Sequence, residues 1–152
     1  MIRRHILCFG NPLHGDDGFG AAVFAHLSAK PRPENLLLFD AGTAGPAALA
    51  LFEDCDEAIV VDALAPAGTP GRIAQPCVDS IVSESVPAPH GMGLGYVLQA
   101  LAALPGPKPR VTIVGAQAES HRPFQPGLSP AVAQAAREVA SLLAPYFDDG
   151  HG

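Results

Sequence analysis

Asp17, Asp62 and His90 could between them offer two carboxylates and one imidazole to a single divalent cation. Carboxylate oxygen combined with imidazole nitrogen suits nickel, zinc, copper or iron. A closed structural zinc site takes four ligands, commonly with cysteine among them. A set of three leaves positions open, which fits catalysis or recognition of a metal carried by another molecule. Each residue also has a plainer reading. Asp16 and Asp17 can cap a helix N-terminus, a role worth about 1 kcal/mol; one acid can do this while the other faces a crevice. Asp62 could close a turn, although an acid leaving a hydrophobic strand is costly to bury unless paired, hydrogen-bonded or metal-bound. His90 could be an exposed loop histidine, but Pro87 and Pro89 restrict the backbone beside it and favour a positioned side chain. His14 is a weaker ligand candidate, because the glycine-rich loop around it positions it less firmly. Asp40 reads as a turn residue, and Glu119 and His121 as supporting groups. His5, His26 and His151 read as structural or exposed.

The elements that must position these groups follow from hydrophobic patterning. Ile6 to Phe9 reads as a buried strand ending at Gly10-Asn-Pro, and Gly18 to Ala29 as a helix. Leu36 to Phe39 is a second buried strand, ended by Asp40, and Pro46 to Phe52 a helix with proline in its first turn. Ala58 to Val61 is a third strand, ended by Asp62. Arg72 to Ala74 and Val78 to Val82 suggest short elements. Gly91 to Leu104 is a helix with Leu94, Val97, Leu98 and Leu101 on one stripe, and Val111 to Val114 a fourth strand. Ser129 as N-cap and Pro130 at the first position open a last helix that runs to about Tyr146. Strands apolar throughout, alternating with helices, indicate an α/β fold: a mostly parallel sheet covered on both faces. Ligands in such sheets sit at the carboxyl ends of the strands. Asn11, Asp16, Asp17, Asp40, Asp62 and the Glu119-Ser120-His121 group lie just past strand ends, so the fold is expected to bring them together.

Bulk composition excludes several classes. Residues 1–147 read as one domain, with 148–152 as a disordered tail. Hydrophobic residues make up 48% and charged residues 16%, which excludes a disordered chain. Proline, 16 residues of 152, stands at about twice its usual share and marks frequent turns. The net charge is −6 with nine scattered Lys and Arg, so nucleic acid is not an expected partner. The three cysteines, Cys8, Cys55 and Cys77, are widely spaced without C-x-x-C, against a disulfide scaffold or zinc knuckle. The first apolar run is too short for a signal peptide or membrane span, and a cytoplasmic protein without membrane contact is expected.

Five motifs occur in order. Cys8-Phe-Gly-Asn-Pro-Leu-His-Gly-Asp-Asp-Gly-Phe-Gly20 is close to a strand followed by G-x-G-N-x-L-x-x-D-[DE]-G-x-G. Asp40-Ala-Gly-Thr-Ala-Gly45 matches D-x-G-T-x-G, and Val60-Val-Asp-Ala63 an apolar strand ending in D-A. Pro89-His-Gly-Met-Gly-Leu94 matches P-H-x-x-G-L, and Val114-Gly-Ala-Gln-Ala-Glu-Ser120 resembles V-G-x-x-P-E-S. Across nearly its whole length the sequence resembles the hydrogenase maturation endopeptidases. It departs from the pattern at Cys8, where the family has glycine, and at Ala118, where it has proline. Asp17 stands where many relatives carry Glu.

The resemblance implies a three-layer α/β/α sandwich and an endopeptidase of aspartic type by family classification. It implies removal of the C-terminal extension of a nickel-containing hydrogenase large-subunit precursor after nickel insertion. It carries the metal-recognising and catalytic roles onto Asp17, Asp62 and His90, with nickel brought by the precursor; a monomer that pairs transiently with its precursor is expected. The alternative is a non-catalytic Rossmann-like module holding a nucleotide or a metal. Against a nucleotide, the first loop lacks G-x-G-x-x-G and the P-loop pattern, and its two acids would repel a phosphate at the helix N-terminus.

Overall fold

The computed structural model describes residues 1–83, 94–119 and 125–148. β1 (Arg4–Phe9) leads through a 3-10 turn, Gly15–Gly18, into α1 (Phe19–Ser28). β2 (Leu36–Gly42) is followed by a 3-10 helix, Gly45–Phe52, and by β3 (Glu57–Leu64). Next come β4 (Ile73–Ala74), α2 (Val78–Ser83), α3 (Leu94–Ala103) and β5 (Arg110–Gln117). α4 (Pro130–Leu143) runs into a closing 3-10 turn, Ala144–Phe147. The expected tail lies outside the described residues from position 149 onward.

Alternate residues of each central strand supply two separate cores, which is why these strands are apolar on both faces. Ile6 and Cys8 of β1, Ile59 and Val61 of β3, and Val114 and Ala116 of β5 pack under Phe19, Val23 and Leu27 of α1 and Val132, Ala136 and Val139 of α4. Leu7 and Phe9, Ala58 and Val60, and Ile113 face the other way, onto Ala48 and Phe52 and onto Val97, Leu98 and Leu101 of α3. The result is the three-layer α/β/α arrangement with a mostly parallel sheet. The strand order is β2-β1-β3-β5-β4, with only β4 antiparallel.

That order has a consequence for function. The chain leaves β1 to build β2 on one side and returns to build β3 on the other. The crevice between β1 and β3 at their carboxyl ends is therefore the topological switch point, where open α/β sheets place their ligands.

Several expectations need correction. Asp62 does not follow its strand but lies within it, opposite Gly115 of β5. β1 stops pairing with β3 at Cys8 opposite Val61, while β3 continues beside β5 to Leu64. Asp62 is thus held by a strand on one side and opens toward the switch point on the other. Asp40 likewise lies inside β2. Residues 45–52 form 3-10 rather than α-helical turns. The strands are also less uniformly apolar than their middles suggest. At the amino end of the sheet, buried Glu57 accepts from Arg4 Nε at 3.1 Å and Arg110 Nη2 at 2.6 Å, and the Arg4 guanidinium lies 4.7 Å from the Tyr146 ring centroid. This ion cluster sits at the pole opposite the site. No helix among the described residues is long and apolar enough to cross a membrane.

Candidate active site

Gly10, the first residue after β1, adopts a φ of 125°, a conformation that L side chains rarely reach. A methyl group there would fall onto the Asp17 carbonyl and lie 3.7 Å from Asp62 Oδ1. The glycine is the floor on which the 3-10 turn folds back, and it brings the segment carrying Asp17 beside the end of β3. Gly20 is equally constrained, because a methyl would strike the Phe9 carbonyl; α1 starts in direct contact with the strand it follows.

The adjacent acids Asp16 and Asp17 then diverge. Asp16 is 3% exposed. Its Oδ1 accepts from the Ser129 amide at 2.7 Å, and its Oδ2 from the Glu119 amide at 2.8 Å and the Ser129 hydroxyl at 2.9 Å. Asp17 is only partly buried, and its Oδ2 accepts from the Asn11 amide at 2.9 Å. Neither acid caps the helix that begins beside it. Ser129 does not cap with its side chain either, since its hydroxyl donates to Asp16 rather than accepting from the first turn of α4.

Asp62 accepts from the Ala63 amide at 2.8 Å. Burial, followed by repulsion from Asp17, raises its carboxyl from the ordinary 3.8 to about 7, against the pull of the Ala63 hydrogen bond. Asp17 and Asp62 are therefore electrostatically coupled, as two acids sharing one crevice must be. Among the described residues neither forms an ion pair; the pairs present join Arg3 to Asp56 and both Arg4 and Arg110 to Glu57. Two carboxylates held together with no compensating cation among the described residues make a site for a cation or a shared proton. They also disfavour a phosphate, and with it the nucleotide-binding alternative.

The third residue of the expected trio, His90, lies outside the described residues, as do Ser120 and His121. Among the described residues no three His, Cys, Asp or Glu side chains gather to hold a metal. His14 thus does not complete a set with Asp17 and Asp62; its backbone bridges to Gln125. Asp40 stays exposed within β2 and Glu119 presents its amide, not its carboxylate, to Asp16. Of the groups expected to converge, the fold brings Asn11, Asp17 and Asp62 to the crevice and joins Asp16 to the Glu119 backbone beside them.

Cys8 is fully buried in β1, within reach of the charges of Asp40 and Asp62. Desolvation, then the charges of Asp40 and Asp62, push its thiol up to about 12, so almost no thiolate exists at neutral pH and a cysteine nucleophile is not available here. Patterning alone misses the role of Asp16, because nothing in a D-D pair says which acid turns inward. The only signal is its spacing from Asp17, which sets successive residues of a 3-10 turn about 120° apart.

Comparison with known proteins agrees with this fold. A profile of the hydrogenase maturation protease family matches residues 22–145. A Methanocaldococcus jannaschii protein, provisionally named a hydrogenase maturation protease, is 33% identical, with 94% of this chain and 96% of that protein covered. Among solved structures, the hydrogenase maturating endopeptidase HybD of E. coli is 28% identical with a TM-score of 0.76, covering 94% of this chain and 93% of its own. A hydrogenase 3 maturation protease is 25% identical with a TM-score of 0.73, covering 99% and 94%. A parallel sheet with two acids at its switch point, a profile spanning most of the chain and full-length likeness to solved endopeptidases lead to one conclusion: this chain belongs to the hydrogenase maturation protease family.

Proposed function

We propose that this protein is the endopeptidase that removes the C-terminal extension of a nickel-containing hydrogenase large-subunit precursor once nickel has been inserted. The observation that carries this reading is the coupled pair Asp17 and Asp62 at the switch point, two carboxylates placed to meet a cation. The precursor brings that cation as part of the substrate. Its arrival would offset the repulsion that raises the Asp62 carboxyl, so recognition of the loaded precursor releases protons near neutral pH. His90 supplies the imidazole nitrogen in this reading, on the strength of the Pro-His motif alone.

With the precursor's nickel held by Asp17, Asp62 and His90, the scissile peptide is fixed in position, which lowers the entropic cost of attack, and its carbonyl can be polarised by the metal. One carboxylate, or water held by it, takes a proton as water adds to the carbonyl carbon. The proton passes to the departing amine as the C–N bond breaks. No covalent intermediate is required. The aspartic-type classification fits two acids without implying a pepsin-like dyad. Action in the cytoplasm, as a monomer that pairs with its precursor only during turnover, belongs to the same reading.

The test is to incubate purified protein with nickel-loaded precursor and follow mass. Release of one C-terminal peptide is expected, with Asp17→Ala, Asp62→Ala and His90→Ala folded but inactive. An intact precursor after prolonged incubation would overturn the reading, and wild-type cleavage by any of the three variants would remove that residue from the site.

A further inference from the structure

Asp16 is a buried carboxylate beside the site that the proposed chemistry leaves unused. Its three hydrogen bonds reach partners 103 and 113 residues away in sequence. Backbone amides approach both of its oxygens: Ser129 N–H at Oδ1 and Glu119 N–H at Oδ2. Only a carboxylate satisfies that demand. Asparagine has one oxygen, and its NH2 group would face an amide donor whichever way it is turned. The Ser129 hydroxyl is diverted to the same carboxylate instead of capping α4, although a serine cap is itself worth about 1 kcal/mol.

These contacts stitch one short turn to two distant points, the residue that leaves β5 and the residue that opens α4. A further bond, from the Gly15 amide to the Gln125 carbonyl at 2.8 Å, ties the same turn a third time. Asp17 is the next residue. Among the described residues its carboxylate has one hydrogen bond, from the Asn11 amide; the loop before it is held locally, by Gly10 N–H on the Gly42 carbonyl and by His14 and Leu13 N–H on Asn11. Those bonds are local to the loop, whereas Asp16 ties the residue next to Asp17 to distant elements of the fold.

We propose that Asp16 is a positioning residue: by tying the 3-10 turn to Glu119 and Ser129, it holds the Asp17 carboxylate facing Asp62. This rests on the reading that Asp17 takes part in the reaction. Asp16 touches neither substrate nor metal and acts through its neighbour. Loss of one amide bond in Asp16→Asn turns the 3-10 segment and withdraws Asp17 from the Asn11 amide, leaving the strands in place. A displacement of about 1 Å at a reacting group costs roughly 100-fold in rate.

The test compares wild type, Asp16→Asn and Ser129→Ala by two readouts. In amide hydrogen exchange, Asp16→Asn is expected to lose at least about tenfold protection at Asn11 while amides of β1 and β3 keep theirs. In processing of nickel-loaded precursor, kcat falls roughly 100-fold with KM within about twofold. Ser129→Ala, which retains both amide anchors, shows wild-type protection at Asn11 and a kcat within a fewfold. Unchanged protection at Asn11 in Asp16→Asn would refute the positioning role. So would its loss in step with the strand amides, which marks general destabilisation. The two readings separate cleanly: a wild-type protein that does not process the precursor defeats the proposed function, whereas the exchange data judge Asp16 regardless of activity.

Discussion

Replacing Asp62 with asparagine should make the protein more stable above neutral pH while abolishing its activity. The carboxyl is raised from 3.8 to about 7 in the folded protein. At about 1.4 kcal/mol per unit, holding it ionised costs at most about 4 kcal/mol. The sign follows from proton counts. Below the ordinary value both the folded and unfolded states carry the proton, and the carboxyl does not affect stability. Between about pH 4 and 7 the unfolded chain releases it while the folded protein keeps it, so this group's contribution falls as pH rises. Above about pH 7 both states are ionised and the full penalty applies. Asparagine carries no such charge and can still accept from the Ala63 amide, a bond of 2.8 Å in the wild type. Urea denaturation of both proteins from pH 4 to 8.5 is the assay, with equal slopes required so that midpoints compare stability alone. The variant should match wild type within about 0.5 kcal/mol near pH 4 and exceed it by about 2–4 kcal/mol at pH 8. Asp17→Asn should shrink the difference, since Asp17 is the second cause of the shift. A difference that stays flat with pH, or a wild type more stable at pH 8, would refute the claim that the two acids are coupled in a desolvated crevice.

Further outcomes follow from other parts of the structure. Brief alkylation of the native protein at pH 8 should label exposed Cys77 and spare Cys8 and Cys55, whose thiols are buried and pushed up to about 12 and about 11; peptide mapping reads this out. Cys8→Ala should keep processing within a fewfold despite a loss of about 1–2 kcal/mol from the cavity, and a folded but inactive variant would bring the thiol into the mechanism. Glu57→Ala should cost about 3–5 kcal/mol in urea denaturation by leaving Arg4 buried without its acid, with the rate per folded molecule unchanged because the cluster lies at the opposite pole. Gly20→Ala should lose about 1–3 kcal/mol or more, seen in a thermal melt, because the methyl would collide with the Phe9 carbonyl.

Much of the architecture is legible in the sequence where one residue type dominates an element. Ile6 to Phe9 and Ala58 to Val61 read as buried strands because both faces of a covered parallel sheet are apolar, and Leu94, Val97, Leu98 and Leu101 mark the inward stripe of α3, all buried as expected. Strand ends are harder. Asp62 looks like a terminator because it is charged, yet β5 extends the ladder past it, and pairing partners are not visible in a local pattern. Arg4, Glu57 and Arg110 disguise the starts of three strands, since the burial of Arg4 and Glu57 depends on their pairing across the sheet, with exposed Arg110 on the second Glu57 oxygen. Asp17 and Asp62 stand out in the motifs, and the shared floor at Gly10 explains why they meet. The division of labour between Asp16 and Asp17 is not legible, because it depends on Ser129 and Glu119, more than 100 residues away. His90 is carried by its motif alone.

The central claim, that paired acids recognise a cation carried by the substrate, is tested most directly by offering the wild-type protein nickel-loaded and nickel-free precursor side by side and measuring the initial rate of peptide release by mass spectrometry. Rapid cleavage of the loaded form and negligible cleavage of the empty one is the predicted result. Equal rates on both would contradict it, and would leave Asp17 and Asp62 with no cation to recognise.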